Sequence, residues 1–216
     1  AASSQTLSFG QFAARASAIA GGLRNELGLQ PGARVVLYME NQGAFLELLF
    51  ASWIAGLTAV PANAKLHVRE LAHIAEDSGA SVVFVSQRLY DEGADDLKAM
   101  DASVIVTGSS AHEALLQAVA ISCAALSPTD TAWLFYTSGT TGKPKGAMLS
   151  HRCLLFMSLV YYADIERVEP GHSKLHAAPL SHASGIYAIP HLLAGGHQLV
   201  LPGFDPQAVL QALEQY

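Results

Sequence analysis

Hydrophobic positions along the chain predict an alternation of helices and short strands. Apolar residues recur at helical spacing within residues 9–27, at Phe12, Ile19 and Leu23, which predicts a first helix. The run at residues 81–85 is continuously apolar, as expected for a strand that is buried on both faces of a parallel sheet. The repeated order of strand and helix predicts an α/β fold with mostly parallel sheets covered by helices.

The predicted elements fall into two groups of similar architecture. We predict helices at residues 9–27, 45–55, 68–77, 89–100, 151–162, 184–193 and 206–215, and strands at residues 34–39, 57–60, 81–85, 102–107, 132–136, 173–178 and 198–201. Between them, residues 109–127 hold only a short alanine-rich helix and a linker that ends at Pro128. We therefore expect two similar α/β lobes, at residues 1–126 and 127–216.

Composition and charge exclude two classes of protein. Hydrophobic residues make up 51% and charged residues 14%, so the chain is not intrinsically disordered. A chain of this length can bury roughly 70% of its unfolded surface, but so few charges predict exposed apolar area, which either a missing partner domain or ordinary variation in composition would explain. The net charge of −6 argues against a general nucleic-acid binder, whose affinity comes largely from neutralising phosphates.

Cysteine content and hydropathy predict a cytoplasmic protein without a membrane span. Cys123 and Cys153 lie far apart, show no metal-ligand spacing, and are expected to be buried thiols in a reducing compartment. The most apolar run, at residues 44–60, contains Glu47 and is short for a bilayer crossing, so it predicts a buried helix that leads into a strand. No basic segment typical of a signal peptide precedes it.

A loop rich in glycine and hydroxyl residues carries the candidate chemistry. Residues 133–146 read WLFYTSGTTGKPKG, an apolar strand that runs directly into this loop. Glycines let backbone N–H groups turn towards one anion, hydroxyls donate hydrogen bonds, and lysines supply positive charge. The pattern predicts a phosphate-binding loop, with a solvated surface loop as the alternative. The candidate ligands of the phosphates are Thr137, Ser138, Gly139, Thr140, Thr141 and Gly142, with Lys145 beside them.

Two familiar nucleotide-binding motifs do not fit this loop. A P-loop needs a glycine five residues before its Gly-Lys pair and a Ser or Thr after it. Here Pro144 follows Lys143, and Thr137 stands where the first glycine is required. A dinucleotide site is excluded because no Gly-x-Gly-x-x-Gly sequence follows a predicted strand.

The loop sequence resembles the signature of the adenylate-forming superfamily, which comprises acyl-CoA synthetases, beetle luciferases and the adenylation domains of peptide synthetases. Residues 136–146 carry this match, YTSGTTGKPKG. A second match, PLSHASG at residues 179–185, resembles the Pro-Leu-x-His-x-x-Gly segment of the family. Softer matches occur at residues 60–63, 69–71 and 76–79. The resemblance spans residues 7–206.

The resemblance implies a mechanism and a role for each candidate residue. A carboxylate attacks the α-phosphate of ATP, pyrophosphate leaves with Mg²⁺ bridging phosphates, and a thiol, often that of coenzyme A, then takes the acyl group. Residues 137–142 are implied to bind the β- and γ-phosphates, and Lys145 to add charge or hold the loop. His182 is implied to orient or polarise the carboxylate. No residue is predicted to be a metal ligand.

The family pattern also implies that this chain is incomplete. The family's adenine and ribose motifs, and its mobile C-terminal domain with a catalytic lysine, have no counterpart in these 216 residues. We therefore expect the front part of an acid–thiol ligase of the acyl-CoA synthetase type, inactive alone. Its expected partners are a small carboxylic acid, ATP, coenzyme A and the C-terminal part of the same protein. Two alternatives stay open: a non-catalytic ATP- or partner-binding module, and a peptide-synthetase adenylation domain.

Overall fold

A computed structural model describes residues 6–137 and 144–216 of the protein. The elements of the first half are α1 (Phe9–Gly21), which continues into a π-helical turn (Gly22–Glu26), β1 (Arg34–Tyr38), α2 (Gly43–Ile54), β2 (Thr58–Ala62), α3 (Val68–Ser78), β3 (Ala80–Val85), α4 (Gln87–Lys98), β4 (Ser103–Val106) and α5 (Ser110–Leu116). Those of the second half are β5 (Thr131–Thr137), β6 (Lys145–Ser150), α6 (His151–Asp164), β7 (Ser173–His176), α7 (Ala183–Leu193), β8 (His197–Val200) and α8 (Pro206–Gln215).

Six strands form the larger sheet, in the order β4-β3-β1-β2-β5-β6. All neighbouring pairs are parallel except β5 and β6, which run antiparallel at the edge. Strand β5 joins the parallel part through Ala59 of β2, which is paired with Trp133. The α/β fold with a mostly parallel sheet covered by helices is therefore confirmed.

The continuous apolar strands are explained by burial on both faces of this sheet. Alternate side chains of a strand point to opposite faces. Accordingly, Val35 and Leu37 of β1 belong to one core cluster with α1 and α2, whereas Val36 and Tyr38 belong to a second cluster with α3 and α4. Gly79 ends α3 in the left-handed conformation, with φ of 62°, which glycine adopts without steric cost.

A second, two-stranded sheet pairs β7 with β8 in parallel. Helices α6 and α7 contribute Leu154, Ala188 and Ile189 to the first of the two core clusters, so this part packs on the large sheet. Strands β5 and β6 are hydrogen bonded to the large sheet although they follow residue 127. The division into lobes at residues 126 and 127 stays a prediction, and it does not coincide with the boundary between the two sheets.

Two expectations about local structure are wrong. No strand was predicted at residues 145–150, yet β6 forms there because it pairs with the edge of β5. Most of its side chains are exposed, so its sequence lacks the apolar signal of a buried strand. The cysteines, expected to be buried, are both exposed free thiols. Cys153 lies in the first turn of α6, a helix whose apolar side chains occupy part of its exposed surface as well as its buried face.

The low charge content predicted exposed apolar side chains. In the structure they are concentrated in the second half of the chain. On α6, Leu155, Phe156 and Leu159 are all exposed, and the exposed fraction of Phe156 is 67%. On α8, Leu210 and Leu213 are exposed as well. In the part of the chain that the structure describes, no helix is both long and apolar enough to cross a bilayer.

One buried ion pair joins the first two helices and makes a stability prediction possible. Glu47 of α2 is 2% exposed, and its two carboxylate oxygens each accept a hydrogen bond from Arg15 of α1 at 3.1 Å. Replacing Arg15 with Met leaves a buried carboxylate without its partner. We expect this change to lower the free energy of unfolding by about 3 kcal/mol.

The control for this prediction removes both charges. The double variant with Arg15→Met and Glu47→Leu should recover most of the lost stability, because two apolar side chains need no desolvation of a charge. Urea unfolding at pH 7 measures both variants. A double variant as unstable as the single one would contradict this account of the pair.

Candidate functional site

The candidate phosphate-binding loop leaves the sheet at the carboxyl end of β5. Thr137, the last residue of β5, is paired across the antiparallel stem with Lys145, the first residue of β6. Both side chains are exposed. The other predicted phosphate ligands, Ser138, Gly139, Thr140, Thr141 and Gly142, lie outside the described residues. The structure therefore locates the two ends of the candidate loop.

A tyrosine braces the stem of this loop. The ring of Tyr136 on β5 packs directly over Gly146 on β6, where an added Cβ would lie 2.9 Å from the Tyr136 Cζ atom. The Tyr136 hydroxyl donates a 2.6 Å hydrogen bond to the Asp77 carboxylate at the end of α3. Burial, reinforced by that carboxylate, raises the pKa of Tyr136, so the hydroxyl stays protonated and keeps donating. Gly146 is thus required by close packing against the ring.

His182 lies beside the same strand, at the start of α7. It is the residue that precedes the first turn of this helix. Its ring meets the ring of Phe135 edge to face, with centroids 5.3 Å apart and planes inclined by 77°. Its Nδ1 atom is 2.9 Å from the Ser181 hydroxyl. Phe135 is two residues before Thr137, so the structure places His182 near the strand end that begins the candidate loop.

Burial keeps the imidazole of His182 uncharged near neutral pH. The pKa of His182 is lowered because the partly buried ring loses hydration that would stabilise its charged form. A neutral imidazole donates from one nitrogen and accepts at the other. If the Ser181 hydroxyl donates to Nδ1, the proton resides on Nε2. His182 can then act as a hydrogen-bond donor towards an anion without carrying a charge.

A buried histidine lies behind the first turn of α7. His176, the last residue of β7, is fully buried, with Nδ1 2.8 Å from the Ser184 hydroxyl and Nε2 2.8 Å from Gln198 Oε1. Burial lowers the pKa of His176, so a neutral ring connects β7, β8 and α7. His176 is buried and both of its ring nitrogens are hydrogen bonded, so its position is a structural one.

Asn41, which no sequence motif singled out, connects the two sheets. Asn41 follows β1, and its carboxamide hydrogen bonds to the backbone of residues 176–180, just before His182. A polar residue at the carboxyl end of a parallel strand is a signal that could have identified it, because ligands bind at that edge of open α/β sheets. Its partners lie far away in sequence and carry no pattern of their own.

The described residues offer ATP a loop stem with a cation, but they offer Mg²⁺ no ligand set. Within residues 6–137 and 144–216, no group of three or more His, Cys, Asp or Glu side chains could hold a metal ion. An open cleft of about 420 Å³ lies at the amino ends of the strands, beside Arg34, Thr58 and Asp130. That cleft is at the opposite edge of the sheet from Thr137, so it is distinct from the candidate site.

Comparisons with known proteins show the family and the fold of the chain. A family model described as "AMP-binding enzyme" matches residues 1–216. A feruloyl-CoA synthase from Amycolatopsis sp is 36% identical over 97% of this chain, which spans 42% of that relative's length. An FR901469 synthetase from Dothideomycetidae sp. (strain 11243) is 34% identical over 68% of the chain and 1% of its own length. The ATP-bound crystal structure of MatB from Rhodopseudomonas palustris superposes with a TM-score of 0.87 at 31% identity, over 99% of this chain and 44% of MatB.

The environment of His182 predicts its titration. We expect its imidazole to titrate below the ordinary value of about 6.5, because burial lowers the pKa. In the Phe135→Ala variant, water gains access to one edge of the ring, and the titration midpoint should rise towards the ordinary value. Histidine ring resonances followed by NMR between pH 4 and 8, with His182→Gln for assignment, measure this. A titration midpoint of His182 at or above about 6.5 in the unmodified protein would contradict the prediction.

Proposed function

The chain belongs to the family of AMP-binding enzymes, and we propose that its protein activates a carboxylic acid with ATP and transfers the acyl group to coenzyme A. One observation carries the proposal. The stem of the glycine-rich loop, Thr137 paired with Lys145, leaves the same strand whose Phe135 packs against His182. The proposed phosphate-binding loop thus begins at the strand against which His182, a group that can donate to a carboxylate or phosphate oxygen, packs from α7.

In the first proposed step, an oxygen of the carboxylate attacks the α-phosphorus of ATP. A new bond forms between that oxygen and phosphorus, the bond from phosphorus to the bridging oxygen breaks, and pyrophosphate leaves with the bonding electrons. A carboxylic acid is already ionised at pH 7, so this step needs no base. The chemical difficulty is that an anion must approach a polyanion.

The proposed task of the chain is to offset that repulsion. Backbone N–H and hydroxyl groups of residues 137–142, with the cation of Lys145, would stabilise charge on the β- and γ-phosphates. His182, neutral because of burial, would donate from Nε2 to the carboxylate or to the α-phosphate as charge develops there. A neutral donor suits this position because it can hold either oxygen without trapping the carboxylate as an ion pair.

In the second proposed step, the thiol of coenzyme A attacks the acyl carbon of the adenylate. The carbon–sulfur bond forms, the bond from carbon to the phosphate oxygen breaks, AMP leaves, and the thiol proton passes to solvent. Mg²⁺ is the metal ion that the proposed reaction implies, and within residues 6–137 and 144–216 no group of three or more His, Cys, Asp or Glu side chains could hold it. It would neutralise phosphate charge when bound.

Transfer to coenzyme A is favoured over transfer to a carrier protein by the extent of the match. The feruloyl-CoA synthase matches 97% of this chain, whereas the FR901469 synthetase matches 68%. A peptide-synthetase adenylation domain therefore remains the second candidate. A cytoplasmic location stays part of the proposal, supported by the two free thiols.

The test of this proposal is ATP–pyrophosphate exchange by the complete protein, against short, medium, long and aromatic acids. We expect exchange that depends on one class of acid, and formation of its CoA thioester when CoA is added. The 216 residues alone are expected to show no exchange, because the family's ribose and lysine motifs lie outside them. ATP binding without exchange would indicate a non-catalytic module. Exchange with amino acids and no CoA product would indicate an adenylation domain.

The loop stem predicts the effect of one methyl group on ATP use. In the complete protein, Gly146→Ala places a Cβ about 2.9 Å from the Tyr136 ring, so the ring must move from its place over the stem. We expect the KM for ATP to rise roughly tenfold or more, since small misplacements of positioning groups cost that much. Gly203→Ala is the matched control, because nothing lies within 4 Å of its added Cβ. If Gly146→Ala and Gly203→Ala have the same KM for ATP, the loop stem has no part in the mechanism. The same conclusion follows if the double variant Thr140→Ala with Thr141→Ala has the ATP kinetics of the wild type.

A further inference from the structure

We propose that Asn41 is a positioning residue for His182: its carboxamide fixes the turn that presents this histidine at the carboxyl end of β5. This inference rests on the proposed function, because it explains how His182 is held in position for its proposed role. Asn41 itself would touch neither ATP nor the acid. It belongs to the connection between β1 and α2, whereas His182 begins α7 in the second half of the chain.

The carboxamide of Asn41 is held on both of its sides. Its oxygen Oδ1 accepts a 2.8 Å hydrogen bond from the backbone N–H of Leu180. Its nitrogen Nδ2 donates to the carbonyl oxygens of Ala178 at 2.8 Å and of His176 at 3.4 Å. Asn41 is only 9% exposed. Because the amide oxygen faces a donor and the amide nitrogen faces acceptors, the carboxamide has a single orientation that satisfies both. The side chain therefore acts as a rigid bridge.

The backbone of residues 177–180 needs such a bridge because it leaves the sheet. Strand β7 ends at His176, so the ladder with β8 supplies no further partners to this segment. Pro179 has no N–H group and interrupts any continuation of the ladder. Leu180 is 1% exposed, so its N–H group has no access to bulk water. Buried backbone groups require a hydrogen-bond partner, and Asn41 supplies it.

Close packing transmits the position of Leu180 to His182. The backbone N–H of His182 donates to the carbonyl oxygen of Pro179 at 3.1 Å, which closes a tight turn. At Gly185 an added Cβ would lie 1.9 Å from the Leu180 carbonyl oxygen and 3.3 Å from the Trp133 ring. The first turn of α7 is therefore pressed against both the turn and β5. A shift of Leu180 cannot be absorbed before it reaches His182.

The geometry predicts a specific kinetic signature in the complete protein. Asn41→Ala removes all three hydrogen bonds, and we expect acid-dependent exchange to fall roughly tenfold or more, with the KM for ATP changed less than twofold. Asn41→Asp keeps the acceptor for Leu180 but turns a carboxylate oxygen towards the carbonyl oxygens of Ala178 and His176, so the exchange rate should fall in this variant as well. If Asn41→Ala does not fold, Asn41→Asp carries the test.

A double-mutant cycle separates positioning from general stability. If Asn41 acts through His182, then Asn41→Ala should change the rate less than twofold in a His182→Ala background. The matched control is Thr58→Val, which removes a buried 2.8 Å hydrogen bond to the Thr131 carbonyl with no connection to the turn. In the double variant, the fold-change in rate caused by Thr58→Val should multiply with the fold-change caused by His182→Ala. A multiplicative effect of Asn41→Ala, like that of the control, would overturn the proposal.

A second readout needs no activity and separates this inference from the proposed function. The NMR titration midpoint of His182 should shift in Asn41→Asp and Asn41→Ala, because the ring loses its fixed place against Phe135, and should stay unchanged in Thr58→Val. A wild-type protein without exchange, combined with this shift, would refute the function and keep the positioning role. An unchanged midpoint in all three variants would refute the positioning role.

Discussion

The register of β5 is the constraint on which the candidate site depends. Successive side chains of a strand point to opposite faces, and Ala59 opposite Trp133 fixes which residues of β5 face which side. Trp133 and Phe135 face α7, where Trp133 is fully buried and Phe135 meets His182. Tyr136 faces the other way, towards Asp77. A slip by one residue would exchange the two faces, and it would separate His182 from the strand that begins the loop.

The distribution of charged and neutral groups is the second feature of the candidate site. The hydroxyl of Tyr136 and the imidazole of His182 both have pKa values shifted by burial towards their uncharged forms. Lys145 supplies positive charge at the exposed end of the stem. The described part of the site therefore combines neutral donors near the sheet with a cation at its rim. That combination suits the binding of a polyanion beside a second anion, which is the demand that acyl-adenylate formation makes.

Local patterns in the sequence were sufficient to predict almost every element, because the central strands β1, β2 and β3 are buried on both faces and read as continuous apolar runs. Strand β6 was missed since its partner is the edge of β5 and its side chains are exposed. Asn41 was missed because its role is created by backbone groups that the fold brings to it from the second half of the chain. The exposure of Cys153 could not be predicted either, since α6 is apolar on more than the face it buries.

The central proposal is that residues 137–142 bind the phosphates of ATP, with His182 beside the reacting carboxylate. A crystal structure of the complete protein with ATP and Mg²⁺ tests it most directly. The account predicts β- and γ-phosphate oxygens within hydrogen-bond distance of residues 137–142, and Nε2 of His182 turned towards the α-phosphate. Phosphates bound elsewhere on the protein, away from residues 137–142, would contradict it.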